Sequence, residues 1–310
     1  MTRLATNLCG IPLRNPLVAA AGTAGYGPEI AEVVPASTFG AITTKSITRE
    51  SREGNPPWRV TDLPAGMLNA IGLANVGLER FLAEIVPELA DLDTVIVGSI
   101  AGHSIEDYEA VAVAFGSPEA APIRLIELNV SCPNTSTGRQ FGDDPGMLEE
   151  LVSGAVRAAG DKPVLVKLSP GAPDPVGLGR VALDAGASGL TLSNTMPAMA
   201  VDPETRRSRI GRASGGLSGP AVHPIAVRLV HEVRSALAES HPGAAIIGLG
   251  GVLSWEDAAE LVLVGADAVG IGTGLFVDPR SPRRVVDGLD SWVRRQGVES
   301  VEALVGAFES

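Results

Sequence analysis

The stretch Arg124-Leu-Ile-Glu-Leu-Asn-Val130 runs directly into the polar segment Ser131-Cys-Pro-Asn134. Near-continuous Leu, Ile and Val is typical of a strand buried on both faces of a parallel sheet. The pattern therefore predicts a central parallel strand over residues 125–130. Such a strand would deliver the thiol of Cys132, and the side-chain amides of Asn129 and Asn134, to the rim of the sheet. The alternative for Cys132 is an inert buried cysteine.

Seven further apolar runs of strand length recur along the chain, and most are followed by a stretch with helical periodicity. Eight alternating units predict an α/β fold, the TIM (β/α)8 barrel. The rival architecture, a doubly wound sheet in two domains, would require a linker near the middle of the chain, and none is visible. We therefore expect residues 1–310 to form a single domain. The predicted strands are residues 16–20, 40–44, 94–99, 125–130, 163–168, 189–193, 244–248 and 267–271, and the main predicted helices are residues 78–89, 106–115, 147–159, 176–185, 222–238, 255–264 and 282–294.

Two connections are unusually long, from residue 46 to about 93 after the second strand and from residue 194 to about 220 after the sixth. Both leave the carboxyl ends of strands, where barrel enzymes build their active sites. The sequence therefore predicts insertions at the C-terminal face of the strands.

Charge and cysteine content narrow the class of protein. The net charge of −12 disfavours nucleic acid as a partner, because phosphate binding needs a basic face. Only two cysteines occur, and we find no secretory leader and no apolar run long enough to span a membrane. We therefore expect a cytoplasmic protein that does not bind membranes.

Polar residues of unusual kinds follow several predicted strands. Lys45-Ser46 follows the second strand, Lys167 lies near the end of the fifth, and Ser193-Asn194-Thr195 ends the sixth. A lysine directly after a buried strand is costly to desolvate unless it meets an anion or an electron-rich ring. Two such lysines indicate a bound, negatively polarised ligand, although each taken singly could instead extend its ammonium to solvent.

The last two strands end in the glycine-rich turns Gly248-Leu-Gly-Gly251 and Gly270-Ile-Gly-Thr-Gly274, and Gly215-Gly-Leu-Ser-Gly219 adds a third. In TIM barrels the loops after strands seven and eight commonly bind phosphate. The context of a dinucleotide fingerprint is missing, so we expect a mononucleotide. The four histidines occur singly, without ligand partners at helical spacing, and we expect no metal site.

These residues resemble dihydroorotate dehydrogenase of class 1. The Gly215–Ala221 stretch looks like the NAD-linked B subtype rather than the fumarate-linked A subtype. The membrane-bound class differs, because it uses serine as its base. The matching stretches keep the family order over nearly the whole chain: Asn15-Pro-Leu, Thr44-Lys-Ser46, Arg52-Glu-Gly-Asn-Pro56, Asn69-Ala-Ile-Gly-Leu73, Asn129-Val-Ser-Cys-Pro-Asn134, Lys167-Leu-Ser169, Ser193-Asn-Thr195, Gly215-Gly-Leu-Ser-Gly-Pro-Ala221, Gly250-Gly251 and Gly272-Thr273.

The resemblance implies a flavin-binding TIM barrel that oxidises (S)-dihydroorotate to orotate in pyrimidine biosynthesis, with FMN as cofactor. It implies that Cys132 is the base that removes a proton from C5 of the substrate. Lys45 would touch both flavin and substrate, and Lys167 would stabilise negative charge on the reduced flavin. The implied substrate contacts are Lys45, Asn69, Ala70, Ile71, Gly72, Leu73, Asn129, Asn134, Asn194 and Thr195. The implied flavin contacts are Ala21, Gly22, Lys45, Ser46, Ser99, Asn129, Lys167, Ser193, Gly219, Gly250, Gly251, Gly272 and Thr273.

Three positions depart from the usual family residues, and one segment is expected to cover the site. Ser99 stands where the family often has asparagine, Ala74 replaces a usual glutamine, and Val76 replaces a usual proline. The segment from residue 135 to about 145 is rich in Gly, Ser, Thr and Asp, which is typical of a mobile loop.

The B subtype also implies a partner, an iron–sulfur flavoprotein that carries FAD and a [2Fe–2S] cluster and passes electrons to NAD⁺. Two cysteines cannot supply the four ligands of such a cluster, so NAD linkage requires another subunit. The resemblance implies a homodimer of this chain at the core of a heterotetramer.

The same residues are compatible with three other classes of enzyme. A dihydropyrimidine dehydrogenase-like enzyme shares the flavin barrel and the cysteine, and its substrate would be dihydrouracil. A tRNA dihydrouridine synthase would need a basic docking face, which the net charge of −12 disfavours. A non-redox lyase or isomerase could use Lys167 as a Schiff-base lysine, and it would be colourless when purified.

Overall fold

Eight short parallel strands form a closed barrel in the computed structural model, which describes residues 3–131 and 140–309. Each strand pairs with the next along the chain, and the last pairs with the first, so the sheet closes. The TIM barrel predicted from the sequence is confirmed, with strand ends that lie within two residues of the predicted ones. The barrel strands are β1 (Leu17–Ala19), β2 (Ala41–Thr43), β3 (Val95–Ile100), β4 (Ile123–Asn129), β5 (Val164–Leu168), β6 (Gly189–Leu192), β7 (Ala245–Leu249) and β8 (Ala268–Ile271).

Helices separate the strands and cover the outside of the barrel. Four of them begin at a side chain that accepts a hydrogen bond from the first helical turn, namely Ser104, Asp144, Asp174 and Ser254. Such caps satisfy backbone N–H groups that have no partner inside the helix. The helices are α1 (Pro28–Ala31), α2 (78–89, with a π-helical turn at Phe81–Ile85), α3 (Ile105–Gly116), α4 (Pro145–Ala159), α5 (Pro175–Asp184), α6 (His223–Leu237), α7 (Trp255–Leu263), α8 (Thr273–Val277) and α9 (Ser281–Gln296).

The interior of the barrel changes from apolar to polar along its axis. A hairpin of strands Thr6–Leu8 and Ile11–Leu13 packs its buried side chains into the amino-terminal end. The lower interior is apolar, with residues such as Val97 and Leu125. Nearer the carboxyl ends of the strands the buried side chains become polar, namely Thr43, Ser99, Glu127, Lys167 and Thr191. Polar groups therefore collect at the end where the sequence predicts the active site.

The two long connections meet in a second sheet above this end, which we call the insertion sheet. It contains four antiparallel strands in the order Met196–Ala198, Gly215–Ser218, Gly66–Asn69 and Val60–Leu63. The predicted insertions at the C-terminal face are thus present, but the sequence did not predict that they pair with each other. Short strands joined across about 150 residues carry no local signal of their pairing.

None of the helices in the described ranges is both long enough and apolar enough to cross a membrane.

Candidate active site at the carboxyl end of the barrel

A cavity of about 300 Å³ lies between the carboxyl ends of the barrel strands and the insertion sheet. This volume is at the lower end of the range of about 300–1,000 Å³ found for small-molecule sites. Most of the site residues predicted from the sequence line it: Ala21, Gly22, Lys45, Ser46, Asn69, Ile71, Leu73, Asn129, Lys167, Ser193, Asn194, Thr195, Gly219, Gly250, Gly251, Gly272 and Thr273.

Three described residues of the predicted site do not line the cavity. The Ser99 side chain is fully buried, and its hydroxyl lies 2.8 Å from that of Ser46, so Ser99 sits behind Ser46. Ala70 and Gly72 belong to the loop beside the cavity: the Ala70 N–H donates to the Arg59 carbonyl, the Ala70 carbonyl accepts from Asn55 Nδ2, and Gly72 packs against Asn55. Two further predictions, the base Cys132 and the substrate contact Asn134, lie outside the described residues.

A network of amides joins two strand ends at the floor of the cavity. Asn194 donates through Nδ2 to Asn129 Oδ1 at 3.0 Å and to Ser131 Oγ at 3.1 Å. Its own Oδ1 accepts from the backbone N–H of Thr195 at 2.8 Å. The Asn129 carbonyl in turn accepts from the Tyr108 hydroxyl at 2.6 Å. These bonds orient both amides, so their remaining donors and acceptors are directed before a ligand arrives.

Lys45 lies directly after β2, half-buried at the edge of the cavity. Burial lowers the pKa of Lys45 from its ordinary value, Glu29 opposes this shift, and the Arg59 guanidinium adds to it. Burial disfavours the charged form of an amine because water no longer solvates it fully. An anionic ligand beside Lys45 would stabilise the ammonium in place of that water.

Lys167 lies deeper than Lys45, because its β5 side chain points into the barrel interior. Only 6% of the residue is exposed, and its Nζ lies 3.8 Å from Glu127 Oε1. Glu127 was not among the residues predicted for the site, since a glutamate within an apolar run carries no distinctive motif. It is a charged residue behind the cavity wall rather than in it.

The loop from Asn69 to Leu73 leaves the insertion sheet and folds back over the cavity. Asn69 donates through Nδ2 to the Gly216 carbonyl at 3.1 Å, and the Ile71 carbonyl accepts from the backbone N–H of Asn55 at 2.9 Å. Gly72 has a φ of 76°, and a side chain there would meet the Asn55 backbone at 2.6 Å. Glycine is required at this position because the turn is left-handed and crowded.

Val76 gains a contact that the usual family proline would lack. Its backbone N–H donates to the Tyr26 hydroxyl at 3.1 Å. Proline has no N–H, so this hydrogen bond ties the loop after residue 73 to Tyr26 in a way that depends on the departure. Ala74 packs beside Gly54, where an added Cβ would lie 2.8 Å from that of Ala74.

Glycine turns form the opposite end of the cavity. Gly251 has a φ of 70°, and a methyl group there would lie 2.7 Å from His223 Cβ and 2.9 Å from the Gly219 carbonyl. His223, the first residue of α6, donates through Nδ1 to the Gly250 carbonyl at 2.8 Å. No sequence motif distinguishes this histidine from the other three, yet its side chain is only 12% exposed. It supports the turn from behind.

The remaining wall is apolar and was not predicted from the sequence. It includes side chains of the insertion sheet, Val60, Met67 and Leu217, together with Val222, Leu249 and Phe276. Such residues look like ordinary core positions until the sheet that carries them is placed over the barrel. An apolar wall with a few convergent polar groups is typical of a cofactor site.

Residues 135–139 of the expected cover over the site, residues 135–145, lie outside the described residues. Its last part is anchored rather than mobile: Phe141 is fully buried and packs edge-on against Tyr108, and the Gly142 N–H donates to the Val130 carbonyl at 3.0 Å.

No group of three or more His, Cys, Asp or Glu side chains within residues 3–131 and 140–309 could hold a metal ion.

The family model for dihydroorotate dehydrogenase matches residues 3–293. The chain belongs to the dihydroorotate dehydrogenase family. It is accordingly an oxidoreductase of pyrimidine biosynthesis, and the family assignment made from its motifs is confirmed.

Curated relatives of this family align over essentially the whole chain. A protein of Solibacter usitatus, named for the fumarate-linked A form of dihydroorotate dehydrogenase, is 44% identical over 308 residues, covering 99% of each chain. The dihydroorotate dehydrogenase B (NAD⁺) catalytic subunit of Pelobacter propionicus is 41% identical over 307 residues, covering 99% of this chain and 98% of its own. That of Bacteroides thetaiotaomicron is 40% identical over 310 residues, covering both chains fully.

The fold also matches a solved structure. The crystal structure of DHODH in complex with ferulenol from Eimeria tenella superposes with a TM-score of 0.82 at 22% identity, covering 98% of this chain and 88% of that chain. At this identity the likeness supports the fold alone.

Proposed function

We propose that this chain oxidises (S)-dihydroorotate to orotate, with FMN bound in the cavity as the hydride acceptor. One observation carries the proposal: the cavity brings two lysines and an oriented pair of asparagines to one end and glycine turns to the other. A flat ring that acquires negative charge suits the first end, and a phosphate suits the second. The barrel with its insertions would serve as one FMN-binding domain.

The residues present fit FMN in three respects. A side chain at Gly219 or Gly251 would lie within 3 Å of neighbouring atoms, and these turns line the cavity together with Gly272, so backbone N–H groups can approach a phosphate. The apolar wall of Val60, Met67 and Leu217 suits a planar ring system. Two lysines supply positive charge, and family membership supports a flavin.

The chain's own residues bind the substrate and move its proton. Asn69, Asn129, Asn134, Asn194 and Thr195 would hold the pyrimidine edge, with Ile71 and Leu73 as apolar contacts. Ala70 and Gly72 would contribute through the loop backbone. Cys132 would take the proton from C5 as the C5–C6 bond becomes a double bond. FMN, when bound, accepts the hydride from C6, and Lys167 would offset the negative charge that results.

We further propose that the chain is the catalytic subunit of the NAD⁺-linked B subtype. Two relatives that align over the full chain carry that name, and the Gly215–Ala221 stretch looks like that subtype. Its partner would be an iron–sulfur flavoprotein with FAD, arranged around a homodimer of this chain. Only two cysteines occur in 310 residues, which supports a reducing, cytoplasmic location.

The fumarate-linked A subtype is the second candidate, because the Solibacter usitatus relative, at 44% identity, is named for it. The two subtypes differ in the electron acceptor, so the acceptor decides between them.

The test begins with the visible spectrum of the purified chain, which should show bound flavin. Anaerobic dihydroorotate should then bleach it, whereas dihydrouracil should not. A colourless protein, or one bleached equally by dihydrouracil, would contradict the proposed reaction. Reoxidation of the chain by fumarate would assign the A subtype. Reoxidation by NAD⁺ only when the iron–sulfur flavoprotein is added would support the B subtype.

A further inference from the structure

Three charged or polar side chains cluster inside the barrel, at the floor of the cavity and just beneath it. Glu127 on β4, Lys167 on β5 and Thr191 on β6 are 2%, 6% and 1% exposed. They come from three adjacent strands, and the register places Thr191 beside Lys167. A buried carboxylate is rare in proteins unless it is paired or serves a purpose.

The geometry fixes the carboxylate of Glu127 against the ammonium of Lys167. Thr191 donates through Oγ1 to Glu127 Oε2 at 2.9 Å. The other oxygen, Oε1, is buried and accepts no hydrogen bond from the described residues, and it lies 3.8 Å from Lys167 Nζ. Lys167 lines the cavity and Glu127 does not. A negative charge thus lies directly behind the positive charge that faces the ligand.

Burying this ion pair costs free energy, so the stability of the fold does not explain why it is present. Removing a carboxylate from water costs several kcal/mol, and replacing a buried ion pair by apolar residues is often neutral or stabilising. At 3.8 Å the pair also lacks the direct hydrogen bond that would offset most of this cost. Stability is therefore a weak reason for Glu127, whereas its electrostatic effect on the cavity is strong, since the interior screens charge poorly.

We propose that Glu127 is a positioning residue that holds Lys167 and partly offsets its positive charge, and thereby lowers the reduction potential of the flavin. The inference rests on the proposed function, in which FMN occupies the cavity next to Lys167. Lys167 alone would stabilise the negative charge acquired on reduction and raise the potential. Glu127 opposes it, so the two residues together set how readily the flavin releases electrons to the next acceptor.

The test is the midpoint potential of bound FMN in the wild type and in Glu127→Gln, measured by spectroelectrochemistry. Glutamine keeps the shape and can still accept from Thr191, but it removes the charge. We expect the bound FMN to favour the reduced form at least tenfold more strongly, which for a two-electron couple is a positive shift of about 30 mV. Thr191→Val is the matched control, because it disturbs the same cluster without changing its charge, and it should shift the potential much less.

An unchanged or lower potential in Glu127→Gln, with flavin bound, would overturn the inference and leave the proposed function intact. So would an equal shift in Thr191→Val. A wild-type chain that binds no flavin would instead refute the proposed function.

If Glu127→Gln does not fold, the double variant Glu127→Gln/Lys167→Met removes both charges together. Its potential should lie above that of Lys167→Met alone. In Lys167→Met the negative charge of Glu127 acts on the flavin without its counter-charge, whereas the double variant lacks both charges. Equal potentials would overturn the inference.

Discussion

Asn194 donates through its side-chain amide to the Oδ1 of Asn129, 3.0 Å away, and so links the carboxyl ends of β6 and β4 across β5. Asn194 Oδ1 accepts from the Thr195 N–H, which fixes the orientation of the Asn194 amide. Because Asn129 uses its oxygen for Asn194, its own NH₂ group is left to donate to a ligand. One hydrogen bond between two strand ends therefore decides which edge of Asn129 is free for a ligand.

Asn194→Asp should weaken substrate binding while leaving flavin bound. The aspartate loses the donors to Asn129 and Ser131 and sets a negative charge against Asn129 Oδ1. Loss of such a hydrogen bond with an unsatisfied partner costs about 1–3 kcal/mol, which corresponds to a rise in KM for dihydroorotate of about five- to 150-fold. The measurement is steady-state kinetics with the flavin content determined in parallel.

The matched control for this change is Asn7→Asp at the other end of the barrel. Asn7 Oδ1 accepts from the Gly10 N–H at 2.7 Å, and aspartate keeps that acceptor. Its KM should stay at the wild-type value. If Asn194→Asp behaves like Asn7→Asp, the amide network does not orient the substrate.

Cys132→Ser should slow reduction of the enzyme by dihydroorotate about 10²- to 10⁴-fold, the usual contribution of a positioned base. A hydroxyl is far less acidic than a thiol, so serine is a much weaker base precursor. The rate of bleaching in an anaerobic stopped-flow experiment measures the effect, and flavin binding should be unchanged. A wild-type rate would remove Cys132 from this role.

Cys9 provides the control for the thiol chemistry. It lies near the amino-terminal end of the barrel, where burial, with a smaller effect of Asp267, raises the pKa of its thiol to about 12. At pH 8 almost none of it is thiolate, so it should resist alkylation in the folded protein. Iodoacetamide should therefore label the wild type at Cys132 alone, and the Cys132→Ser variant not at all. Labelling of Cys9 under native conditions would contradict this.

Gly251→Ala should abolish or strongly weaken flavin binding. The methyl group would lie 2.7 Å from His223 Cβ and 2.9 Å from the Gly219 carbonyl, so the turn must open. Gly297→Ala is the control, since it also replaces a left-handed glycine, with a φ of 71°, but has no atom within 4 Å. Both variants carry the strain of a left-handed alanine, about 1 kcal/mol. The dissociation constant of FMN, measured by fluorescence, should rise only in Gly251→Ala, and equal effects would mean that the turn does not contact the flavin.

Lys45 should make orotate binding sensitive to alkaline pH. Burial lowers the pKa of Lys45 below its ordinary value of 10.5, Glu29 opposes this, and Arg59 adds to it. Lys45 therefore loses its charge at a lower pH than an exposed lysine, and the affinity for the orotate anion should fall with a midpoint below pH 10.5. The unfolded chain binds this proton more tightly, so the same titration should raise the free energy of unfolding as pH increases.

Lys45→Arg isolates this effect, because arginine stays charged throughout the range. Titration of the ligand itself would appear in both proteins, whereas the fall that belongs to Lys45 would appear only in the wild type. Parallel pH profiles for the two proteins would show that Lys45 does not bind the anion.

The local sequence pattern was sufficient to predict the barrel. Strands such as β5, Val164–Leu168, are uninterrupted apolar runs, and helices such as α7 begin at a capping serine. Both signals depend only on residues that are close in sequence, so one sequence is enough to detect them. The residues at strand ends, Lys45 and Asn194 among them, were predicted for the site because the carboxyl ends of parallel strands meet at one face.

The rest of the site depends on residues that are far apart in sequence. Met67 and Leu217 face the cavity only because the strands Gly66–Asn69 and Gly215–Ser218 pair across the mouth of the barrel. In the sequence, Glu127 is a single glutamate within an apolar run, and His223 is one of four isolated histidines. Only the fold shows that Glu127 lies behind Lys167 and that His223 lies behind the Gly250 turn.

By itself, the sequence determined the order of the strands, the family and the kinds of side chain at each strand end, since these follow from local periodicity and from motifs. Only the tertiary structure decided which groups are buried together, which amide edge is free, and which charge lies behind which. Burial, hydrogen-bond direction and charge separation are properties of distances between residues, and the chain sets those distances only when the barrel closes.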